Sequence, residues 1–305
     1  MKSNLILLSF LIAGSAALGV AAPAGDYTER FDTLYNSLTL QRTGSIVEMR
    51  ARARSSEALE SAIDLSNPLR LVVAYTKTLY AGLFFLPEPK RVLVVGLGGA
   101  GFHRPFAEVF PDALLQTVEL DPKVFELCQS HMGFNPTDRT PVALMDGRMF
   151  VKRDKQKWDW LILDAFRGGF VPPHLKTEEF YRECAARLSE RGVFIANLHA
   201  TSRLYVSDLR TIQKVFPQLV LFHTPGSGNV IACAVNYSAP SITNQSAWPA
   251  VAKLNERMRG LVDLGEVQRG RFAVPPEAAE APVLTDDFAP VEFLDAIKSN
   301  NTERR

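Results

Sequence analysis

The fold is decided at residues 91–101, where the chain reads Arg91-Val92-Leu93-Val94-Val95-Gly96-Leu97-Gly98-Gly99-Ala100-Gly101. A short apolar run bounded by glycines is typical of a buried strand in a parallel sheet, and apolar residues at helical spacing follow it to residue 110. Between a strand and a helix, such glycines allow a tight turn that brings the backbone close to a ligand, while the helix N-terminus supplies free amide donors. We therefore expect Gly96, Gly98 and Gly101 to bind a nucleoside-type ligand. The alternative is a tight turn that binds nothing.

Strands and helices alternate on the C-terminal side of this turn, as a doubly wound α/β sheet requires. Further strands are predicted at 114–119, 142–145, 158–164 and 193–197. Asp121-Pro122 opens one helix and Thr177 caps another, which we expect to include Leu188 and to end at Gly192.

The last two predicted strands, 218–223 and 229–235, are joined by a loop too short for a crossover helix. They should therefore pair antiparallel. The predicted fold class is α/β, with a mostly parallel sheet that ends in an antiparallel hairpin.

On the N-terminal side of the turn, residues 31–64 form short alternating runs around the turn at Gly44, which predicts a small β module. Residues 69–85 have helical spacing and stop before Pro87, and residues 248–261 are also helix-like. The expected domains are a β module at 25–68 and a sheet domain at 69–300.

The first residues, 1–24, have the features of a secretory signal peptide. Lys2 precedes an apolar run from Leu5 to Ala22, and Ala22-Pro23-Ala24 has the small residues of a cleavage site. The alternative is an uncleaved membrane anchor, because the run is about as long as the shortest transmembrane helices. Either reading places the remainder of the chain outside the cytoplasm. Cleavage, the reading we favour, gives a secreted or periplasmic protein with no stable membrane span.

Composition restricts the class of partner. The formal net charge of +1 provides no bulk attraction to a phosphate backbone, so nucleic acid is not an expected partner. Cys128, Cys184 and Cys233 lie in apolar stretches without metal-like spacing, so we expect neither a disulfide framework nor a metal site.

Three carboxylates are predicted at the edge of the sheet that holds the glycine turn. Glu119 ends the strand after that turn, where it could accept hydrogen bonds from ribose hydroxyls; a solvated strand-end acid is the alternative. Asp146 follows a short apolar run and would lie beside the nucleobase of the ligand, where it could accept a hydrogen bond from an exocyclic amine. Asp164 follows four apolar residues, a costly position unless the carboxylate is solvated or paired, which favours a functional role.

Taken together, these motifs resemble the spermidine synthase (polyamine aminopropyltransferase) family from about Tyr35 to Glu292. The resemblance is carried by Tyr75, 96–101, Val118-Glu119-Leu120-Asp121-Pro122, Asp146-Gly147-Arg148, Leu163-Asp164-Ala165-Phe166, His174–Tyr181 and Leu284–Glu292. It implies a methyltransferase-type Rossmann-like sheet behind a small N-terminal β domain, which often joins subunits into a homodimer.

The resemblance also implies roles for single residues. Glu119 would bind the ribose, Asp146 with Gly147 the adenine, and the glycine loop and Asp164 the amino-acid-derived tail of S-adenosylmethionine or its decarboxylated form. Asp164 and Tyr75 are our own candidate catalytic residues, as the base or the anchor of an attacking amine.

The chain departs from the family at two acids. Gly99 and Arg167 stand where aminopropyltransferases usually carry aspartates, one for the donor amine and one for the attacking amine, and Thr76 replaces a glutamine. A guanidinium cannot act as a base, but it would favour a donor that keeps its carboxylate. The sequence is similar to a spermidine-synthase-like subgroup with these features.

Three functions remain open from the sequence. The first is a transferase that moves an aminopropyl or methyl group to an amine or another small nucleophile, with His174 and the Asp286-Asp287 pair as further candidate bases or amine anchors. For His174 the alternative is loop packing, and for the acid pair it is a solvated turn. The second function is a non-catalytic extracytoplasmic binding module derived from this family, since the donor is a cytoplasmic metabolite. The third is a nicotinamide oxidoreductase, which the terminal hairpin and Asp146 fit poorly.

Overall fold

The computed structural model describes residues 25–53, 56–237 and 248–288. The predicted signal segment, 1–24, lies outside the described residues. No helix within the described ranges combines the length and the apolar character needed to cross a bilayer.

The N-terminal β module is a four-stranded antiparallel sheet in the order β1-β2-β3-β4. Its strands are β1 Tyr27–Asp32, β2 Ser37–Thr43, β3 Ile46–Ala53 and β4 Ser56–Asp64. Gly44, with φ of 60°, provides the left-handed residue of the tight turn between β2 and β3. Leu40 and Met49 of this sheet pack in one apolar cluster with Leu97 of the glycine turn, so the module lies directly against that turn.

The second sheet has eight strands in the order β12-β10-β11-β9-β8-β5-β6-β7. The strands are β5 Arg91–Val95, β6 Leu114–Glu119, β7 Val142–Leu144, β8 Trp158–Leu163, β9 Leu188–His199, β10 Gln218–His223, β11 Asn229–Val235 and β12 Arg271–Phe272. Strands β5 to β9 pair parallel, and β9–β11 and β10–β11 pair antiparallel, which confirms the predicted fold class and hairpin.

The helices cover both faces of this sheet and bury its apolar strands in two clusters. They are α1 Ala74–Thr78, α2 His103–Val109, α3 Pro122–Ser130, α4 Gly147–Arg153, α5 Glu178–Ala185, α6 Tyr205–Val215, α7 Trp248–Met258 and α8 Leu264–Arg269, with 3₁₀ turns at Leu79–Phe84, Pro173–Leu175 and Pro276–Glu280. As predicted, Asp121 and Thr177 cap α3 and α5.

The helix predicted at 69–85 is wrong in its extent. It begins only at Ala74, because Val73 has an extended backbone, and it tightens into the 3₁₀ turn after Thr78. That turn packs closely on the eight-stranded sheet, because a Cβ on Gly82 would lie only 2.7 Å from Cδ1 of Ile195 in β9.

The predicted extent of the helix after Thr177 is also wrong. Helix α5 ends at Ala185, and both Leu188 and Gly192 belong to strand β9. A Cβ on Gly192 would lie 2.7 Å from the carbonyl oxygen of Trp158, so this glycine marks a close approach of two strands and not a helix end.

Candidate active site

A pocket opens at the carboxyl ends of β5, β6 and β8, where the chain order of the parallel strands reverses. Open α/β sheets bind ligands at such a point. The pocket is lined by the glycine turn and by polar side chains, among them Tyr35, Asn36, Glu60, Tyr75, Glu119, Asp121, Asp146, Asp164, Arg167, His174 and Asn197.

The glycine turn passes very close to the end of β8. A Cβ on Gly96, whose φ is 105°, would lie 2.2 Å from the carbonyl oxygen of Asp164, so no larger residue fits there. Gly98, with φ of 52°, also lines the pocket. Gly101 lies against β4 instead, where its added Cβ would be 3.6 Å from the carbonyl oxygen of Ala62. Of the three predicted glycines, the structure brings Gly96 and Gly98 to the pocket.

Gly99 faces the N-terminal module. A Cβ there would lie 2.6 Å from Oγ of Ser61 and 2.7 Å from Cε of Met132. The space that an aspartate side chain would need is therefore already filled in this chain.

Glu119 is buried at the end of β6 and holds the turn in place. Its Oε2 accepts a hydrogen bond from the backbone N–H of Leu97 at 2.9 Å, and its Oε1 accepts one from Asp121 at 2.8 Å. Burial raises the pKa of Glu119 above its ordinary value, and these backbone donors oppose the rise. The carboxylate thus joins β5, β6 and α3 where it lines the pocket.

Asp146 caps helix α4, and Gly147 opens that helix. Oδ1 of Asp146 accepts from the backbone N–H of Met149 at 2.9 Å, and Nε2 of His174 lies 2.9 Å from Oδ2. The hydrogen bond from His174 is the main reason why the pKa of Asp146 is lowered. A Cβ on Gly147 would lie 2.4 Å from Cγ1 of Val95, so α4 begins directly on β5. Asp146, Gly147 and His174 all line the pocket.

Both carboxylate oxygens of Asp164 accept hydrogen bonds from other side chains. Its Oδ2 accepts from the hydroxyl of Tyr75 at 2.9 Å, and its Oδ1 accepts from Nδ2 of Asn197 at 2.9 Å. Burial raises the pKa of Asp164 to about 6, although both hydrogen bonds favour the charged form. Burial and the nearby Asp164 keep the pKa of Tyr75 well above its ordinary value. Tyr75 therefore remains a donor, while Asp164 titrates near neutral pH.

Asn197 and Glu60 are among the pocket residues that the sequence did not predict. Asn197 ends an apolar run on β9 much as Asp164 ends one on β8, and that similarity could have identified it. Glu60 of β4 interrupts the apolar run from Ala58 to Ile63, which was the only signal for it in the sequence.

Glu60 extends from the N-terminal module into the pocket, where its Oε1 accepts from the backbone N–H of Gly168 at 3.1 Å. Burial raises the pKa of Glu60 to about 8, and the neighbouring Glu119 and Asp164 add to the rise. The pocket is thus completed by a carboxylate from outside the eight-stranded sheet.

Arg167 lies exposed at the rim of the pocket. Its Nε donates to the carbonyl oxygen of Tyr35 at 2.7 Å, which ties the loop after β8 to the N-terminal module. The loop folds back between Arg167 and Phe170 through Gly168 and Gly169, both with positive φ.

Asp286 does not line the pocket. Its carboxylate accepts from NH1 and NH2 of the buried Arg148 at 2.6 and 2.7 Å and from Oγ1 of Thr177 at 2.8 Å. The structure therefore assigns it to holding the C-terminal segment against α4 and α5. Within the described ranges, no group of three or more His, Cys, Asp or Glu side chains could hold a metal ion.

Sequence comparison with known proteins indicates the family to which this chain belongs. Residues 73–229 match the family model of the spermine/spermidine synthase domain. Over 233 residues the chain is 34% identical to a polyamine aminopropyltransferase of Vibrio vulnificus, covering 74% of this chain and 76% of that protein.

Two solved structures share the fold. A probable spermidine synthase from Corynebacterium glutamicum superposes with a TM-score of 0.68 at 20% identity, covering 87% of this chain and 99% of that one. Human methyltransferase-like protein 13, solved in complex with SAH, superposes with a TM-score of 0.57 at 25% identity, covering 61% of this chain and 92% of that one. The first likeness, at its low identity, supports the fold alone. On the strength of the family model and the Vibrio vulnificus relative, this chain belongs to the spermine/spermidine synthase family.

Proposed function

We propose that this protein is a transferase that moves an aminopropyl or methyl group from an S-adenosylmethionine-type donor to an amine or another small nucleophile. The observation that carries the proposal is the gathering of the glycine turn, Glu119, Asp146 and the Tyr75–Asp164 pair in one pocket. These residues come from different elements of the fold and meet at this edge of the sheet.

The donor site would be built from residues whose chemistry suits an adenosyl sulfonium. Backbone groups at Gly96 and Gly98 would lie along the donor, Glu119 would accept from the ribose hydroxyls, and Asp146 at the start of α4 would accept from the adenine amine. Glu119 and Asp146 already accept hydrogen bonds from backbone N–H groups, but each carboxylate has about four lone-pair sites and can accept more.

The charge of the pocket supports a cationic ligand. Besides Glu60, which keeps its proton at neutral pH, its lining includes four further acids, Glu119, Asp121, Asp146 and Asp164, against one arginine and one histidine. A sulfonium donor and an amine acceptor both carry positive charge, so each would be attracted to this lining.

The sulfonium supplies a good leaving group, so positioning and deprotonation are what the protein adds. The amine lone pair forms the new bond to carbon while the carbon–sulfur bond breaks and its electrons remain on a neutral thioether. An acceptor that binds as an ammonium must lose a proton before this attack, because only the neutral amine has a lone pair to form the new bond. Asp164 is our candidate for the acceptor of that proton, because its pKa of about 6 lies close to the pH at which such a base works best. Tyr75 holds the carboxylate in place.

Methyl transfer from intact S-adenosylmethionine is the more specific alternative within this class. It is favoured by the absence of an acid at Gly99, which packs closely against Ser61 and Met132, and by Arg167 at the rim, which could pair with the donor's carboxylate.

Calorimetric titration of the purified full chain with S-adenosylmethionine, its decarboxylated form and methylthioadenosine would test the donor site. We expect at least one of them to bind, and failure of all three would overturn the proposal. Preference between the first two separates methyl from aminopropyl transfer.

The catalytic role is tested by following transfer from a labelled donor to a diamine. Asp164→Asn should lower the rate about 100-fold or more, as expected for loss of a general base. Asp112→Asn, the same change at an exposed residue between α2 and β6, is the matched control and should leave the rate unchanged. A donor that binds but is never consumed would favour a binding module without catalysis.

The cellular location is a separate proposal, namely that residues 1–24 direct the protein to the periplasm or outside the cell. N-terminal sequencing of the native protein from fractionated cells would test it. A mature chain that begins near Gly25 in the exported fraction is expected, and an intact Met1 in the cytoplasm would contradict it.

A further inference from the structure

Behind the pocket, three side chains form a hydrogen-bonded line that ends on Asp164. Oγ of Ser227 donates to Oδ1 of Asn229, Nδ2 of Asn229 donates to Oδ1 of Asn197 at 2.8 Å, and Nδ2 of Asn197 donates to Oδ1 of Asp164 at 2.9 Å. Asn197 lines the pocket, whereas Asn229 and Ser227 lie outside it.

The fold brings these residues together through the antiparallel pairing of β9 with β11. Asn197 pairs with Ile231, and Asn229 pairs with His199, so the two asparagines are diagonal neighbours on the sheet. Both are buried, with 2% and 0% exposure, while Ser227 lies in the loop between β10 and β11. The line therefore runs from a loop near the surface to the pocket.

Ser227 forms the outer end of the line. Its Oγ accepts from the backbone N–H of Asn229 at 3.1 Å, and its hydroxyl proton is donated to Oδ1 of that same residue. With its oxygen facing Ser227, the Asn229 amide turns its nitrogen toward Asn197. The oxygen of Asn197 accepts that bond, so only its nitrogen is left to face Asp164.

We propose that Asn229 and Ser227 are positioning residues that orient the Asn197 amide as a donor to Asp164. With this donor on Oδ1 and Tyr75 on Oδ2, both oxygens of Asp164 accept hydrogen bonds and the charged carboxylate is favoured over the neutral acid. If the Asn197 amide were reversed, its oxygen would face Oδ1, and Asp164 would have to hold a proton to avoid two opposed acceptors.

The other titratable groups near Asp164 come from other elements. Tyr75 of α1 donates to it, while Glu60 of β4, which is neutral over the range in which Asp164 titrates, and Arg167 line the same pocket. A substitution at Asn229 or Ser227 leaves all three side chains in place, so a change in the titration of Asp164 would report on the orientation of Asn197.

The test is a pH titration of the aspartate side chains in the full chain, followed by NMR of carboxyl carbons, with the Asp164 signal identified by its loss in Asp164→Asn. Asn229→Ala should move the midpoint of Asp164 upward by about one pH unit, because a hydrogen bond to a charged group is lost or reversed. Ser227→Ala should move it in the same direction by less. Asn255→Asp, a charge change at a residue that accepts from the backbone N–H of Leu264 and does not line the pocket, is the control and should leave the midpoint where it is.

An unchanged midpoint in folded Asn229→Ala would overturn the inference. If that variant fails to fold, Ser227→Ala decides, and an unchanged midpoint in it has the same meaning.

The importance of the line for catalysis rests on the proposed function, but the NMR readout does not. If the titration midpoint of Asp164 shifts in Asn229→Ala but the protein binds no sulfonium donor, the positioning role of Asn229 is supported and the proposed transferase function is contradicted. If transfer is observed, the acid limb of its pH profile should move upward with the midpoint in Asn229→Ala.

Discussion

The hydroxyl of Tyr75 lies 2.9 Å from Oδ2 of Asp164, although 89 positions separate the two residues along the chain. Helix α1 precedes the eight-stranded sheet, and Asp164 immediately follows its strand β8. Because Tyr75 remains protonated, the contact joins a fixed donor to a carboxyl group that changes charge near neutral pH.

Removing the Tyr75 hydroxyl, which donates a hydrogen bond to Asp164, should destabilise the charged form of Asp164 and raise its pKa. In Tyr75→Phe we expect the acid limb of the pH–rate profile of group transfer to move to higher pH. The rate at neutral pH should fall about tenfold, because one hydrogen bond to a charged group is lost. The measurement is the rate of transfer as a function of pH. Tyr80→Phe is the matched control, because the Tyr80 hydroxyl is buried without a hydrogen-bond partner among the described residues, and its profile should not move. Equal effects in both variants would contradict the assignment.

Glu60 should make the stability of the protein depend on pH. Its pKa is about 8 in the fold against an ordinary value of 4.5, so the folded state holds a proton that the unfolded state has lost between these values. This contribution to stability is present at low pH and is lost as the pH rises through that window. In urea unfolding, Glu60→Gln should be more stable than the wild type by about 2 kcal/mol or more near pH 9 and nearly equal to it near pH 5.

The control for this prediction is Glu57→Gln, on the same strand. Glu57 is exposed and accepts from Oγ1 of Thr39, a bond that glutamine can keep. A stability difference that does not change with pH in Glu60→Gln would show that Glu60 is not held in its neutral form.

Gly96→Ala should disrupt the turn and the pocket together. The new Cβ would meet the Asp164 carbonyl oxygen at 2.2 Å in a backbone conformation that alanine disfavours. Strain and overpacking together should lower the free energy of unfolding by about 3 kcal/mol or more and abolish donor binding. Gly44→Ala also has positive φ but meets nothing within 4 Å, so it should cost about 1 kcal/mol and leave donor binding unchanged. Similar losses in the two variants would contradict the close approach.

Asp286→Asn should affect stability but not binding. The substitution removes the charge that faces both nitrogens of Arg148, whose side chain is only 9% exposed, and should lower the free energy of unfolding by about 2 kcal/mol at neutral pH. The hydrogen bonds from Arg148 hold the pKa of Asp286 below its ordinary value, so the difference should shrink as the pH falls and the carboxylate takes up a proton. Exposed Asp287→Asn is the control. If Asp286→Asn loses binding of the sulfonium donor and Asp287→Asn does not, Asp286 contributes to the ligand site after all.

Much of the sheet could be predicted because local patterns are sufficient for it. Strands β5, β6, β10 and β11 have the predicted bounds, since each is an apolar run ended by glycine, proline or charged residues. Glu119, Asp146 and Asp164 were predicted to share an edge because parallel strands all end on the same side of a sheet. Helix α5 was overextended because the glycine at 192 looks the same in sequence whether it ends a helix or lets two strands approach.

The residues that complete the site have no such local signal. Glu60 reaches the pocket because the N-terminal sheet packs on the glycine turn, and Asn229 meets Asn197 through the register of β9 with β11. The sequence alone was enough for the family, the succession of strands and helices along the chain and the acids at the strand ends, since these follow from the periodicity and position of residues along the chain. The partner of each acid, the proton that it keeps and the part played by Asp286 were decided by the folded structure, because they depend on burial and on contacts between distant segments.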